Sequence, residues 1–129
     1  MLRCVVAVLV AVLMLAGAML PAFAQQRPFP ANALRGELLV QQPPEVTLNG
    51  QPARLAPGAR IRGENNLLVL SGALAGQKLT VHYTVDTYGL LLNVWLLSAE
   101  ERARQPWPRN AAEAASWRFD PAAQTWSKP

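Results

Sequence analysis

The chain has 129 residues, enough for one small domain, with 51% hydrophobic and 16% charged residues and a formal charge of +4. Its single cysteine, Cys4, lies inside an N-terminal export-type segment, so once that segment is removed disulfides, thiol catalysis and cysteine-based zinc sites are excluded. The basic excess is small and dispersed, and an exported chain seldom meets nucleic acid, so that partner is set aside.

Residues 1–24, MLRCVVAVLVAVLMLAGAMLPAFA, place Arg3 ahead of an apolar run and follow the run with Pro21 and the small-x-small triplet Ala22-Phe23-Ala24. This is the pattern of a Sec-type signal peptide cleaved after Ala24, and the run is shorter than the ~20 apolar residues that comfortably span a bilayer. A lipoprotein reading fails on order, because Cys4 precedes the apolar run. The expected mature chain starts at Gln25, carries eleven Lys and Arg against eight Asp and Glu for a charge of +3, and is periplasmic or secreted with no membrane span.

Residues 25–35 hold two prolines and no periodicity, which predicts a flexible, extended leader. A barrel is expected over 36–97. Leu38, Leu39 and Val40 form its first strand, stopped by Pro43 and Pro44, which cannot donate to a ladder. Asn49-Gly50 between Val46-Thr47-Leu48 and the run 51–55 predicts a tight hairpin, since both central residues of a type I′ turn need positive φ. Pro57-Gly58 predicts a type II turn before a short strand at 59–62, and residues 63–66 a further turn before an apolar strand at 67–70.

The small, glycine-containing stretch 71–76 separates that strand from the clearest hairpin in the chain, KLTVHYTVDTYGLLLNVWLL. Lys78, Thr80, His82, Thr84 and Asp86 alternate with Leu79, Val81, Tyr83 and Val85, which predicts one wet face and one buried face. Asp86 and Gly89 suit the first and last positions of a type I turn. The returning strand is apolar on both faces, so it needs cover from outside the barrel. Five to seven short strands with frequent turns predict a mainly β fold, a small antiparallel barrel of OB-like or SH3-like type.

Residues 98–129 change texture. Ser98 with Glu101 three residues on is a capping box for a short helix over 99–105, ended by Pro106 and Pro108; Asn110 caps a second over 111–116. Trp117-Arg118-Phe119 and Thr125-Trp126 resemble the arms of a small hairpin. With Trp107 they place four large aromatics in the last 23 residues, which predicts a helical, Trp-rich extension packed on the barrel.

The order of Gly36, LNG then ARL, PGARIRG, Leu74-Ala75-Gly76 into a V-x-Y strand, D-x-x-G and a closing strand is similar to small exported OB-like β-barrel domains of bacterial envelope proteins. With FDPAAQTW at the end, the chain resembles an uncharacterised family of exported Gram-negative proteins. That resemblance implies a fold and a compartment, and it carries over no catalytic residue.

Candidate chemistry is sparse. His82, the only histidine, is expected on an exposed face, and as a lone surface histidine it is not assigned a metal or a proton-transfer role. Glu100 and Glu101 point ~100° apart on a helix and do not share a proton. Arg60 and Arg62 share one face of a strand, and with Arg54 they are the candidate site for an anionic ligand, a phosphate or a lipid headgroup. No catalytic, metal or cofactor site is expected. The sequence therefore favours an exported envelope accessory or binding module, with an envelope protein or an anionic ligand as partner. A small periplasmic hydrolase using His82 and Asp86 is the alternative.

Overall fold

The computed structural model describes residues 26–129. The expected signal segment, 1–24, lies outside the described residues. The strands are β1 (Leu34–Val40), β2 (Glu45–Leu48), β3 (Gln51–Arg62), β4 (Lys78–Val85) and β5 (Leu91–Leu96), with one 3-10 turn, Ser71–Leu74, between β3 and β4. Helices α1 (Ala99–Ala103) and α2 (Ala111–Ser116) follow, then β6 (Arg118–Asp120) and β7 (Thr125–Ser127).

Local chemistry sets the turns. Asn49 at φ 54° and Gly50 at φ 78° close the β2–β3 hairpin as a type I′ turn requires, with Leu48 paired to Gln51. Asn49 also reaches sideways, its Oδ1 accepting from the Glu37 N–H at 2.9 Å, which ties the hairpin to β1. At the β4–β5 turn the Asp86 Oδ1 accepts from the N–H groups of Tyr88 and Leu90 at 2.8 and 3.0 Å, while Gly89 takes φ 79°.

The five strands close into a barrel in the order β1-β2-β3-β5-β4, with β4 returning to β1. This is a five-stranded Greek-key barrel of the OB-like kind. One contact departs from the all-antiparallel expectation: β3 and β5 run parallel, because the chain crosses from the end of β3 to β4 before β5 fills the gap. The barrel interior holds Leu38 and Val40 from β1, Val46, Leu55 and Ile61 from the hairpin, Val81 and Tyr83 from β4, Leu91 and Val94 from β5, and Leu74 from the 3-10 turn.

Three local expectations are corrected. Pro57-Gly58 does not turn the chain; β3 passes through it as a bulge, with Gly58 at φ 77° and the register against β5 shifting between Leu55 and Arg60. A bulge bends a strand without ending it, which lets one long strand wrap the barrel. Residues 67–70 are not a strand but a loop held by a single bridge between Arg62 and Leu68. The leader is extended but not free: Gln124 accepts from the Phe29 N–H through Oε1 at 2.9 Å, Gln26 donates to the Ala123 carbonyl, and Phe29 is buried.

Outside the barrel wall lies a second apolar cluster of Phe29, Ala33, Leu97, Trp107 and Trp126, against which Trp95, Trp117 and Phe119 pack. It covers the His82 part of the outer face of β4 that alternation marks as wet, leaving Lys78 exposed. His82 on that face is only 1% exposed and Thr84 only 5%, so the expectation of an exposed His82 is corrected. Period-two alternation distinguishes the inside of a barrel from its outside, and cannot tell an outside in water from one under a second layer. Among the described residues no helix is long and apolar enough to cross a membrane.

Candidate functional site

Strand register places Arg35 of β1 opposite His82 of β4, and His82 opposite Trp95 of β5, forming a row across the outer barrel wall. The tail closes over that row. Trp107 stacks on the His82 imidazole at 4.1 Å and 23°, its Nε1 donating to the Ala33 carbonyl at 2.9 Å, and Phe29 meets the imidazole edge-on at 4.5 Å.

Arg35 is buried beneath this cover without a carboxylate bound to its guanidinium. It donates through Nε to His82 Nε2 at 3.3 Å, through Nη2 to the Glu101 carbonyl at 2.7 Å, and through Nη1 to the Arg102 and Arg104 carbonyls at 3.1 and 2.9 Å. These carbonyls lie at the C-terminal end of α1, where only that of Glu101 has a backbone donor, the Arg104 N–H at 3.2 Å, and a cation is favoured at a helix C-terminus. Arg35 thus fastens α1 to the barrel. Burial and the nearby Arg109 lower its pKa to about 10, against a smaller opposing effect from Glu101.

A second clamp starts from the leader. Arg27 grips Glu101 in a bidentate pair, Nε to Oε2 at 2.8 Å and Nη2 to Oε1 at 2.6 Å, and donates to the Gly63 and Leu96 carbonyls, both at 2.7 Å. Glu101 Oε1 also accepts from the Ser98 N–H at 2.9 Å while the Ser98 hydroxyl accepts from the Glu101 N–H at 3.3 Å, so the capping box read from the sequence doubles as an ion-pair site. Burial by itself would raise the Glu101 carboxyl; Arg27 and Ser98 outweigh it and hold the group below its usual range.

Because His82 Nε2 accepts from Arg35, its proton sits on Nδ1. Burial, then the positive charges of Arg35, Arg27 and Arg104, push its pKa down to about 2. The unfolded chain takes up this proton near pH 6.5 and the folded chain does not, so the associated stability is fully present above about pH 6.5 and is lost as pH falls. We expect stability to drop by about 2 kcal/mol between pH 6.5 and 5, with Glu101 adding loss of the same sign below its ordinary carboxylate range. Urea unfolding across that window checks this: His82→Gln, which keeps an acceptor for Arg35, should flatten the slope above the carboxylate range.

The other predicted residues are not brought together. Asp86 is committed to its turn, four residues along from a His82 that faces Arg35, so no acid-base pair forms. Arg54 lies early in β3 in an exposed pair with Glu45 at 3.6 Å, of a kind worth about 0–1 kcal/mol. Arg60 and Arg62 lie further along β3, past its register shift, and Arg62 Nη1 donates to the Asn66 carbonyl at 3.4 Å. Among the described residues no three His, Cys, Asp or Glu side chains converge as a metal site would need.

Cations do converge on the tail. A cleft of about 230 Å³ is lined by Arg35, Trp107, Arg109, Glu113, Trp117 and Lys128, with the Lys128 ammonium 5.4 Å from the centre of the Trp117 ring. Its one carboxylate, Glu113, accepts from the Asn110 side chain at 3.2 Å. Among the described residues Arg109 and Lys128 have no ion-pair partner. A larger cleft of about 360 Å³ around Arg27 and Glu101 carries both signs of charge, and its central pair is already satisfied. Sequence reading passed over Arg35, Arg109 and Lys128 because they lie 74 and 19 residues apart in turn. The available signal was Arg109 and Lys128 each two residues from a tryptophan, Trp107 and Trp126.

Compared with family models, with curated proteins and with solved structures, the chain matches none.

Proposed function

We propose that this protein is an exported binding module of the bacterial envelope that holds a small anionic ligand with a flat face in the cleft between Trp117, Arg109 and Lys128. The observation that carries the reading is the charge of that cleft: three cations against one carboxylate, beside two tryptophans. Arg109 and Lys128 can donate to a carboxylate or phosphate, and an indole supplies a surface on which a planar group or a sugar ring stacks. Arg35 contributes field rather than contact, its donors being occupied by carbonyls and His82. The N-terminal export pattern and the resemblance to exported Gram-negative barrels support the compartment. Against a hydrolase on His82 and Asp86 stand the burial of His82 and the separate engagement of the two side chains.

Titration of the purified protein with glucuronate, citrate and inorganic phosphate, followed by tryptophan fluorescence, tests the reading. Saturable binding of at least one anion, absent for neutral glucose and weakened at least about tenfold in Arg109→Glu/Lys128→Glu, is the expected result. Failure of all three anions, or binding indifferent to the double substitution, would overturn it.

A further inference from the structure

The loop that replaces the expected strand at 67–70 presents its side chains in an unusual way. Leu67, Leu68 and Leu70 are 66%, 65% and 82% exposed, while Val69 between them turns inward against the barrel core. The loop is pinned in this attitude. Gly63 donates to the Leu67 carbonyl at 2.9 Å, Val69 to the Ile61 carbonyl at 2.8 Å, and the Asn65 side chain accepts from the Leu67 N–H at 3.1 Å.

These bonds define a short antiparallel register with the end of β3. Arg62 is bridged to Leu68, Ile61 lies opposite Val69, and the same register sets Arg60 opposite Leu70. Cross-strand partners project to one side. Ile61 and Val69 therefore point into the core together, and Arg60, Arg62, Leu68 and Leu70 point outward together, with Leu67 at the tip. Glu64, the acid of this loop, lines the cleft beside Arg27 and Glu101 instead.

We infer that this outward face is a membrane-surface contact, with Leu67, Leu68 and Leu70 entering the acyl boundary of a bilayer and Arg60 and Arg62 meeting anionic headgroups. Protruding aliphatic side chains ringed by cations suit the lipid interface, where apolar groups sink below the phosphates and guanidinium groups bind them. A protein partner fits less well, because a stable interface buries about 800 Å² on each side and this loop offers three exposed leucines. The contact is independent of the ligand cleft on the tail and shares no residue with it.

Sedimentation of the purified protein with vesicles of phosphatidylcholine alone, and of phosphatidylcholine mixed with phosphatidylglycerol, tests the contact. Binding to the mixed vesicles, diminished by salt, is expected. Leu67→Ser/Leu68→Ser/Leu70→Ser should weaken it at least about tenfold, and each of Arg60→Gln and Arg62→Gln about fivefold. Arg60 and the three leucines are exposed, and Arg62 is held only by a 3.4 Å bond to the Asn66 carbonyl, so thermal melting should shift little and any loss of binding is not a loss of fold. No sedimentation with either vesicle, or binding that survives the triple serine variant, would overturn the assignment.

Discussion

Trp107→Ala is expected to destabilise the protein by about 3–5 kcal/mol, the range for deleting a large buried aromatic. Trp107 joins the barrel wall, the leader and the tail: it stacks on His82, meets Phe29, Phe119 and Trp126 edge-on at 5.9 to 6.1 Å, and bonds the Ala33 carbonyl. Its loss would let water reach His82, so the imidazole should begin to titrate well above its native value of about 2. Guanidinium unfolding measures the first effect and the histidine NMR shift against pH the second. Trp107→Phe, which keeps most of the packing and loses the indole donor, should cost only about 1–2 kcal/mol. A full-sized stability loss with His82 still silent to acid would show that Trp107 does not seal this layer.

Arg35→Met is expected to cost about 3–5 kcal/mol, although it removes a buried charge. The cost comes from what is stranded: the carbonyls of Arg102 and Arg104 and the His82 Nε2 would lose their donor, and the Glu101 carbonyl would keep only the Arg104 N–H at 3.2 Å. Arg35→Lys separates charge from geometry. An ammonium keeps the charge but cannot spread donors over carbonyls on two sides and an imidazole, so it should recover less than half of the loss. Full rescue by lysine would mean that charge alone holds α1 to the wall. The same substitution should loosen α1 before the barrel, seen as faster amide exchange over 99–104 than over β4.

What could be read in advance follows the range of the forces involved. The Asn49-Gly50 turn, the Asp86 to Gly89 turn, the Ser98–Glu101 capping box and the Asn110 cap are each decided within four residues, by φ preference or by a side chain reaching its own backbone. The alternation of β4 correctly separates Val81 and Tyr83 from the opposite face. Failures began where one local signal competed with a distant partner. Pro57-Gly58 has the chemistry of a turn, yet pairing with β5 on one side and β2 on the other carried the chain straight through. Leu67 to Leu70 has the apolar content of a strand, yet the barrel was already closed by five others. The candidate site was less legible still, since charge proximity along β3 suggested Arg54, Arg60 and Arg62, whereas cations gathered by folding are Arg35, Arg109 and Lys128.

By itself the sequence determined a small β-barrel, where most of its turns fall and which residues face its interior, because turn chemistry and period-two alternation act over a few residues. Only the tertiary structure decided that the outer face of β4 is covered, that His82 is a neutral acceptor for Arg35 rather than an exposed group, and which cations share a cleft. Those outcomes depend on a leader and a tail that meet over the barrel wall across 74 to 95 residues of chain, and desolvation exists only once both layers are in place.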